Sequence, residues 1–283
     1  MSRPPRVLCV RRGGLGDTLL MTPVLRALRR AHPDAELHFA GVSEFAALLP
    51  AFGVVDVAFS SENLATWSLA SGRTSALLAG VHHVVADDVA WLAARGPTVQ
   101  CFDPRPRDGR PLAQQIAAQL GLTLEWPRDA RLADAHVGTS GEIVLAPGSG
   151  GAAKCWPAPH WRELSRDLAE RGHRVAVLVG PVEQERDDPR AWAWPAPVTF
   201  VVEPELLAVA RRLAAARAFV GNDSGPTHLA AMLGSPTVAL FGPSDARVFA
   251  PIGPRVRVLE ANDRRLAGLA PAIVGKALAA LLA

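Results

Sequence analysis

The sequence has few cysteines and none of the patterns in which cysteine carries structure or chemistry. Its three cysteines, Cys9, Cys101 and Cys155, lie far apart along 283 residues. This spacing excludes a disulfide framework and a C-x-x-C metal or redox motif, and it favours a reducing compartment. The pair His82-His83 has no further ligands at useful spacing. We therefore expect neither a bound metal nor a cofactor.

Long apolar runs are also absent. The N-terminus, "MSRPPRVLCVRRGG", has too short an apolar run for a signal peptide, and no stretch reaches the length of a membrane-spanning helix. These absences predict a cytoplasmic protein. A peripheral contact with the inner face of the cytoplasmic membrane remains compatible with the sequence.

Lysine is scarce, because Lys154 and Lys276 are the only lysines among 30 basic residues. The net charge of +3 permits an anionic substrate or an anionic membrane surface and requires neither. No basic run is interleaved with aromatic residues, so we expect no nucleic-acid partner.

The sequence does have an alternation of short apolar runs and helical patterns, which is typical of parallel α/β layers. The alternation stops at residues 123–142, a polar and turn-rich stretch that we interpret as a linker. The predicted strands are Val7–Val10, Glu36–Ala40, Val54–Phe59, His83–Val85, Thr98–Phe102, Ile143–Ala146, Arg174–Val179, Val198–Val202, Ala218–Val220, Thr237–Phe241 and Val256–Leu259. The predicted helices are Thr18–Ala31, Glu44–Leu49, Leu112–Leu120, Pro159–Arg171, Glu205–Ala216, Gly225–Leu233 and Leu266–Leu282.

The loop "RRGGLGDTLL" after the first predicted strand is only partly similar to a phosphate-binding turn. It lacks the third glycine of G-x-G-x-x-G, and Asp17 stands where a phosphate would approach. Its glycines still let the backbone turn sharply. Asp17 is either an N-cap of the helix Thr18–Ala31 or a general base that faces a substrate hydroxyl, and the spacing leaves both readings open.

The stretch "GNDSGPTHLAAMLGSPTVALFGPSD" runs from a predicted strand into a predicted helix. Ser224 is placed to cap that helix, and we expect the N–H groups near Gly225, Thr227 and His228 to face outward with no carboxylate in front. Such a helix start binds phosphates. The alternative is a capped helix that binds nothing, with His228 as a packed or capping residue.

The stretch "LAPGSGGAAKCWPAPHW" places Lys154 on a small-residue loop after a predicted strand. A lysine there reaches a phosphate as a point charge, and the alternative is a solvated surface lysine. Glu183 follows the strand Arg174–Val179. It would either accept hydrogen bonds from a ribose or be an exposed glutamate at a helix start.

In this order, the three stretches resemble glycosyltransferase family 9, the ADP-heptose:lipopolysaccharide heptosyltransferase family. The matching strings are "VLCVRRGGLGDTLLMTPVLRALRRAHPDAELHFAG", "LAPGSGGAAKCWPAPHWRELSRDLAERGHRVAVLVGPVEQE" and "FVGNDSGPTHLAAMLGSPTVALFGPSD". The resemblance implies a GT-B fold, an α/β architecture of two Rossmann-like domains whose parallel sheets face a cleft. It places an acceptor-side domain at residues 1–122 and a nucleotide-sugar-binding domain at residues 143–283, joined by the linker.

The resemblance also implies an activity: inverting, metal-independent transfer of a sugar, heptose in this family, from an ADP-sugar to a lipopolysaccharide core or other anionic glycan or glycolipid. Asp17 matches the family's proposed base. On the acceptor side we place Gly14, Gly16 and Arg11. The positions that match donor-binding residues are Ser149, Lys154, Glu183, Asp223, Ser224, Gly225, Thr227 and His228.

The N-terminal half is the less typical part, because "SSENLATWSLASGRTSALLAG" at residues 60–80 stands where family members often carry an Asp-Leu-Gln-Gly-like stretch. The acceptor therefore stays open, as does the donor sugar. Two rivals remain: a GT-B transferase that uses another nucleotide sugar, and a catalytically silent nucleotide-sugar-binding protein. A nicotinamide-dependent dehydrogenase is disfavoured, because G-x-G-x-x-G is missing and no suitable acid follows the second strand.

Overall fold

The computed structural model describes residues 4–62, 80–87, 98–126 and 140–283. The chain divides into two compact units, Met1–Leu132 and Ala133–Ala283. The division lies within the predicted linker at 123–142, of which residues 127–139 are outside the described residues. Most of the atypical stretch at 60–80 is outside them as well. The domain limits at 122 and 143 therefore stay a prediction.

The first unit contains a parallel sheet of five described strands in the order β3-β2-β1-β4-β5. Its core lies around β1, where Leu8 and Val10 pack against Ala40 and Val84 from the neighbouring strands. The strands are β1 Arg6–Val10, β2 Glu36–Gly41, β3 Val57–Ser60, β4 Val81–Ala86 and β5 Thr98–Cys101. The described helices are α1 Leu15–Leu20, α2 Thr22–Ala31, α3 Ser43–Ala46, α4 Leu48–Ala51 and α5 Leu112–Gln119.

The second unit contains a parallel sheet of six described strands in the order β11-β10-β9-β6-β7-β8. The strands are β6 Glu142–Ala146, β7 Arg174–Leu178, β8 Thr199–Val201, β9 Ala218–Asn222, β10 Thr237–Phe241 and β11 Val256–Glu260. The helices are α6 Ala158–Glu170, α7 Pro181–Arg186, α8 Leu206–Ala215, α9 Gly225–Met232, α10 Ala246–Phe249 and α11 Pro271–Leu282. Single 3₁₀ turns lie at Ala152–Lys154, Pro189–Ala191 and Leu266–Gly268.

Two tryptophans anchor the core of the second unit. Trp156 and Trp161 are fully buried, and their rings meet edge to face at 4.9 Å. Each indole N–H has a backbone acceptor, because Trp156 Nε1 donates to Leu269 O at 2.8 Å and Trp161 Nε1 donates to Trp156 O at 3.1 Å. Buried indoles satisfied in this way fix the start of α6 against the loop that precedes α11.

Prolines break three helices that the sequence pattern predicts as continuous. The predicted helix Thr18–Ala31 is the two helices α1 and α2, because Pro23 has no N–H to donate back to Leu19 and its ring crowds that carbonyl. Pro50 divides the predicted helix Glu44–Leu49 into α3 and α4 in the same way. Pro271 starts α11, and the helix predicted from Leu266 is wrong over its first turn.

The short helices α7 and α10 are missing from the prediction, because four to six residues are too few to show a helical period. Among the described residues, no helix combines the length and the apolar character needed to cross a membrane.

Candidate functional site

The second unit carries a polar cluster at the carboxyl ends of β6 and β9. Because these strands are neighbours in the sheet, the loops that follow them meet at one edge. The loop after β6 holds Ser149 and Lys154, and Asp223 follows β9 directly. Lys154 and Asp223, 69 positions apart in the sequence, therefore lie in contact.

Asp223 is the centre of this cluster. Its Oδ2 atom accepts hydrogen bonds from Lys154 Nζ at 2.7 Å and from Ser244 Oγ at 2.5 Å. Burial of the carboxyl group raises its pKa, but His228, Lys154 and Ser244 lower it by more, so the pKa of Asp223 falls to about 2. His228 Nε2 lies 3.9 Å from Oδ1, beyond hydrogen-bond length, so Lys154 and Ser244 make the direct contacts. The Asp223 side chain is 9% exposed and that of Lys154 is 39% exposed.

Asn222 ties the β6 loop to β9. Its Nδ2 atom donates to Pro147 O at 2.6 Å, and its Oδ1 atom accepts from the N–H of Trp156 at 3.1 Å. Ser149 Oγ adds a second tie by donating to the backbone carbonyl of Asp223 at 2.8 Å. Sequence reasoning missed Asn222 and Ser244. The signal for Asn222 was a polar residue at the end of an otherwise apolar strand.

Helix α9 begins differently from the expectation. Ser224 holds the N-cap position, but its hydroxyl lies 3.2 Å from Thr227 Oγ1 and caps no N–H group. The N–H groups of Thr227 and His228 both donate to the carbonyl of Ser224, at 3.1 and 3.3 Å. The prediction that these two N–H groups are free and face outward is therefore wrong. The Asp223 carboxylate, which comes immediately before Ser224, bonds to the side chains of Lys154 and Ser244.

A pocket of about 320 Å³ lies beside this cluster, at the carboxyl ends of β6 and β7. Its walls come from the β6 loop, from α7 and from the 3₁₀ turn that follows α7. Lys154 itself sits between two residues that line the pocket, Ala152 and Cys155. The aromatic walls are Trp156 and Trp192. A pocket with apolar walls and a few convergent polar groups is typical of a small-molecule site.

Glu183, Arg186 and Asp187 supply charge to the pocket. Glu183 is the third residue of α7, and its Oε2 atom accepts from the N–H of Gly180 at 2.8 Å. Its Oε1 atom lies so close over Gly148 that a Cβ at that position would overlap it. Arg186 Nη1 donates to Ser149 O at 3.2 Å. Arg186 was not predicted, because the short helix that carries it was not.

In the first unit, Asp17 lies inside helix α1 rather than before it. The N-cap is Gly14 and Asp17 is the third helical residue, so Asp17 is not the N-cap itself but caps the helix start from the third position. Its Oδ2 atom accepts from the N–H of Gly14 at 3.0 Å, and its Oδ1 atom accepts from Arg11 Nη2 at 2.8 Å. The side chain is 39% exposed. The proposed base role stays a prediction.

The glycines before Asp17 are not equivalent. A Cβ at Gly13 would lie 2.6 Å from the Cβ of Asp17, whereas a Cβ at Gly14 would meet only Asp17 Oδ2, at 3.9 Å. Gly16 is part of α1. The close packing of the Asp17 side chain therefore requires a glycine at position 13, which the sequence analysis did not place among the site residues.

No group of three or more His, Cys, Asp or Glu side chains in 4–62, 80–87, 98–126 and 140–283 is arranged to hold a metal ion. The carboxylates of Asp17 and Asp223 instead pair with an arginine in the first case and with a lysine and a hydroxyl group in the second.

Comparison with known proteins gives a consistent result. The model of the family described as glycosyltransferase family 9 (heptosyltransferase) matches residues 113–268. Lipopolysaccharide heptosyltransferase 1 of Pseudomonas aeruginosa is 28% identical, over 85% of this chain and 79% of that protein. Lipopolysaccharide heptosyltransferase 1 of Escherichia coli K12 is 27% identical, over 93% of this chain and 96% of that protein.

A solved structure is also similar to the whole chain. The E. coli heptosyltransferase WaaC with ADP superposes with a TM-score of 0.74 at 22% identity, over 98% of this chain and 99% of that one. At this identity the likeness shows the fold, and it confirms the predicted GT-B architecture of two parallel-sheet α/β units.

Proposed function

This chain belongs to glycosyltransferase family 9, and we propose that it transfers a heptose from an ADP-sugar to a lipopolysaccharide core or a related anionic glycan. We further propose that the transfer inverts the sugar carbon without a metal, at the cytoplasmic face of the membrane. The curated relatives are named for heptosyl transfer to lipopolysaccharide, and the WaaC structure contains ADP. Both facts support this choice of donor and acceptor.

One observation carries the donor half of the proposal. The pocket at the ends of β6 and β7 has a carboxylate on one wall, Glu183, and it adjoins a loop that carries the ammonium group of Lys154. A ribose needs hydrogen-bond acceptors, and a diphosphate needs a cation. Both groups lie at the carboxyl edge of a parallel sheet, where nucleotides bind in such folds.

The leaving diphosphate gains negative charge as the glycosidic bond breaks. Under this proposal Lys154 stabilises that charge, and residues Ser224 to His228 at the start of α9 line the same site. Lys154 already has a partner in Asp223, at 2.7 Å. The diphosphate would therefore share the ammonium group with Asp223 or take it over. Arg186, which lines the pocket, adds a second cation.

Asp17 is the proposed general base. It would take the proton from an acceptor hydroxyl as that oxygen attacks the anomeric carbon. The capping contact with Gly14 and the contact with Arg11 each use one carboxylate oxygen, and each oxygen retains a further lone pair for a substrate proton. Capping and base catalysis are therefore compatible in one side chain.

Calorimetry with ADP tests the donor site. A charged hydrogen bond contributes about 1.5–3 kcal/mol, so we expect Lys154→Ala to weaken ADP binding by about 10- to 100-fold. Lys276→Ala is the matched control, because Lys276 is the other lysine and lies exposed on α11. Equal ADP affinity in the two variants would remove the phosphate role of Lys154. A parallel screen of ADP, UDP and GDP tests which nucleobase the donor site binds.

Measuring turnover with a sugar donor and an acceptor tests whether Asp17 is the general base. We expect Asp17→Asn to keep ADP affinity and to lose about 10²- to 10⁴-fold in kcat, the usual contribution of a general base. Asp34→Asn, at an exposed carboxylate of the same unit, should behave as wild type. Full turnover by Asp17→Asn would end the assignment. Tight donor binding with no turnover by the wild type would instead favour a catalytically silent sugar-nucleotide-binding protein.

A further inference from the structure

Two neighbouring strands of the first sheet are each followed by a charged residue, and the two charges are opposite. Val10, the last residue of β1, lies beside Ala86, the last residue of β4. The next residues along the chain are Arg11 and Asp87. The N–H group of Asp87 donates to Val10 O at 3.3 Å, which extends the strand pairing by one step. Arg11 and Asp87 are thereby brought to the same edge of the sheet.

The Arg11 guanidinium joins two carboxylates. Its Nη1 atom donates to Asp87 Oδ2 at 3.0 Å, and its Nη2 atom donates to Asp17 Oδ1 at 2.8 Å. Nη1 also donates to the carbonyl of Arg12 at 2.7 Å, and the N–H of Arg12 donates to Asp87 Oδ2 at 3.1 Å. The side chains of Arg11 and Asp87 are only 10% and 11% exposed. Asp87 is thus the inner end of the chain of contacts and Asp17 the outer end.

The geometry of a guanidinium group makes this chain of contacts rigid. Its donors lie in one plane and at fixed angles, so a carboxylate that fixes Nη1 also fixes where Nη2 points. Asp87 also accepts a hydrogen bond from the backbone N–H of Arg12, so its carboxylate is fixed more firmly than that of an exposed ion pair would be. The position of the Asp17 carboxylate therefore depends on a residue that it does not touch.

We propose that Asp87 is a positioning residue that orients the Asp17 carboxylate through Arg11. The proposal rests on the proposed function in one respect, the use of Asp17 as the base. A base displaced by about 1 Å loses up to about 100-fold in rate, because proton transfer needs hydrogen-bond distance at the transition state. The donor site lies in the other unit, so Asp87 should govern kcat and leave donor binding alone.

Kinetics of two variants test the proposal. We expect Asp87→Ala to lower kcat by about 10- to 100-fold with the donor KM within about twofold of wild type. Asp87→Asn keeps an acceptor oxygen for Arg11 and should recover part of that loss. The control is Asp56→Asn, because Asp56 also pairs with an arginine, Arg29, and accepts a backbone N–H bond in the same unit. A loss of the same size in the control would overturn the proposal.

A double variant separates positioning from a direct role. If Asp87 acts through Arg11, Arg11→Gln combined with Asp87→Ala should be no slower than Arg11→Gln alone. Additive losses would overturn the proposal, since they would mean that Asp87 reaches the reaction by another route.

Crystal structures of Asp87→Ala and Asp56→Asn give a readout that needs no activity. We expect the contact between Arg11 Nη2 and Asp17 Oδ1 to be lost or rearranged in Asp87→Ala and kept in Asp56→Asn. An unchanged contact in Asp87→Ala would overturn the positioning role, whatever reaction the protein performs. Full activity of Asp17→Asn together with a displaced Asp17 in Asp87→Ala would refute the role of Asp17 as general base, but not the role of Asp87 in positioning it.

Discussion

The ionised carboxylate of Asp223 should stabilise the second unit by an amount that the structure predicts. Burial raises its pKa, but the neighbouring His228 and the direct contacts with Lys154 and Ser244 lower it by more, from an ordinary value of 3.8 to about 2. Each unit of pKa corresponds to about 1.4 kcal/mol, so the lowered pKa contributes about 2 kcal/mol to the free energy of unfolding at neutral pH. We therefore expect Asp223→Asn to be less stable than wild type by about this amount at pH 7.

The contribution of Asp223 to stability should fall as the pH is lowered. A carboxyl group whose pKa is lowered in the folded state stabilises the fold fully above the unfolded value of 3.8. That contribution is lost as the pH falls through about 2. The stability difference between wild type and Asp223→Asn should accordingly be constant from pH 7 to about pH 5 and shrink between about pH 4 and pH 2. Urea unfolding followed by tryptophan fluorescence measures it.

The matched control is Asp188→Asn. Like Asp223, Asp188 pairs with a cation, in this case Arg190, and it caps a single 3₁₀ turn, a role that asparagine retains. The Arg190 side chain is 44% exposed, compared with 9% for Asp223, so water screens this ion pair and we expect little change in stability. A difference for Asp223→Asn that persists unchanged down to pH 2 would refute the reasoning, because its cause would then be packing and not ionisation.

Two further predictions follow from close packing at glycines. Gly13→Ala should lower kcat and leave ADP affinity unchanged, because its Cβ would displace Asp17, and Gly14→Ala should have a milder effect. Steady-state kinetics of the two variants tests this, and equal losses in kcat would contradict the packing argument. Gly148→Ala should push Glu183 out of the pocket and weaken binding of ADP but not of pyrophosphate. Calorimetry with both ligands checks this, and unchanged ADP affinity would contradict a role for Glu183 in the nucleotide site.

The fold was largely predictable because its strands are continuous apolar runs. Strands buried on both faces, such as β1 and β10, read as short uninterrupted runs of Val, Leu and similar residues, and their positions were predicted to within a residue or two. The misplaced helix boundaries came from prolines within or next to the predicted helices, at Pro23, Pro50 and Pro271, whereas α7 and α10 were missed because they are short. There the local backbone constraint overrides the period of the apolar residues.

The candidate site was predictable in its residues and not in its contacts. Motif resemblance singled out Asp17, Lys154 and Asp223, but it could not show that Lys154 pairs with Asp223. Such pairings depend on the order of the strands in the sheet, and local sequence patterns do not predict that order. For the same reason Asp87 was passed over, since only the pairing of β1 with β4 brings it to Arg11.

The place of β6 beside β9 has a consequence for how the protein folds. Asn222 reaches back 75 positions to bind the carbonyl of Pro147, and the proposed donor site spans the ends of these two strands. Closing so long a segment costs conformational entropy before any contact repays it, so this pairing should form late. The capacity to bind a nucleotide would then arise only when the central pairing of the second sheet is complete. ADP binding during refolding would therefore report the last step in the folding of the second unit rather than its early collapse.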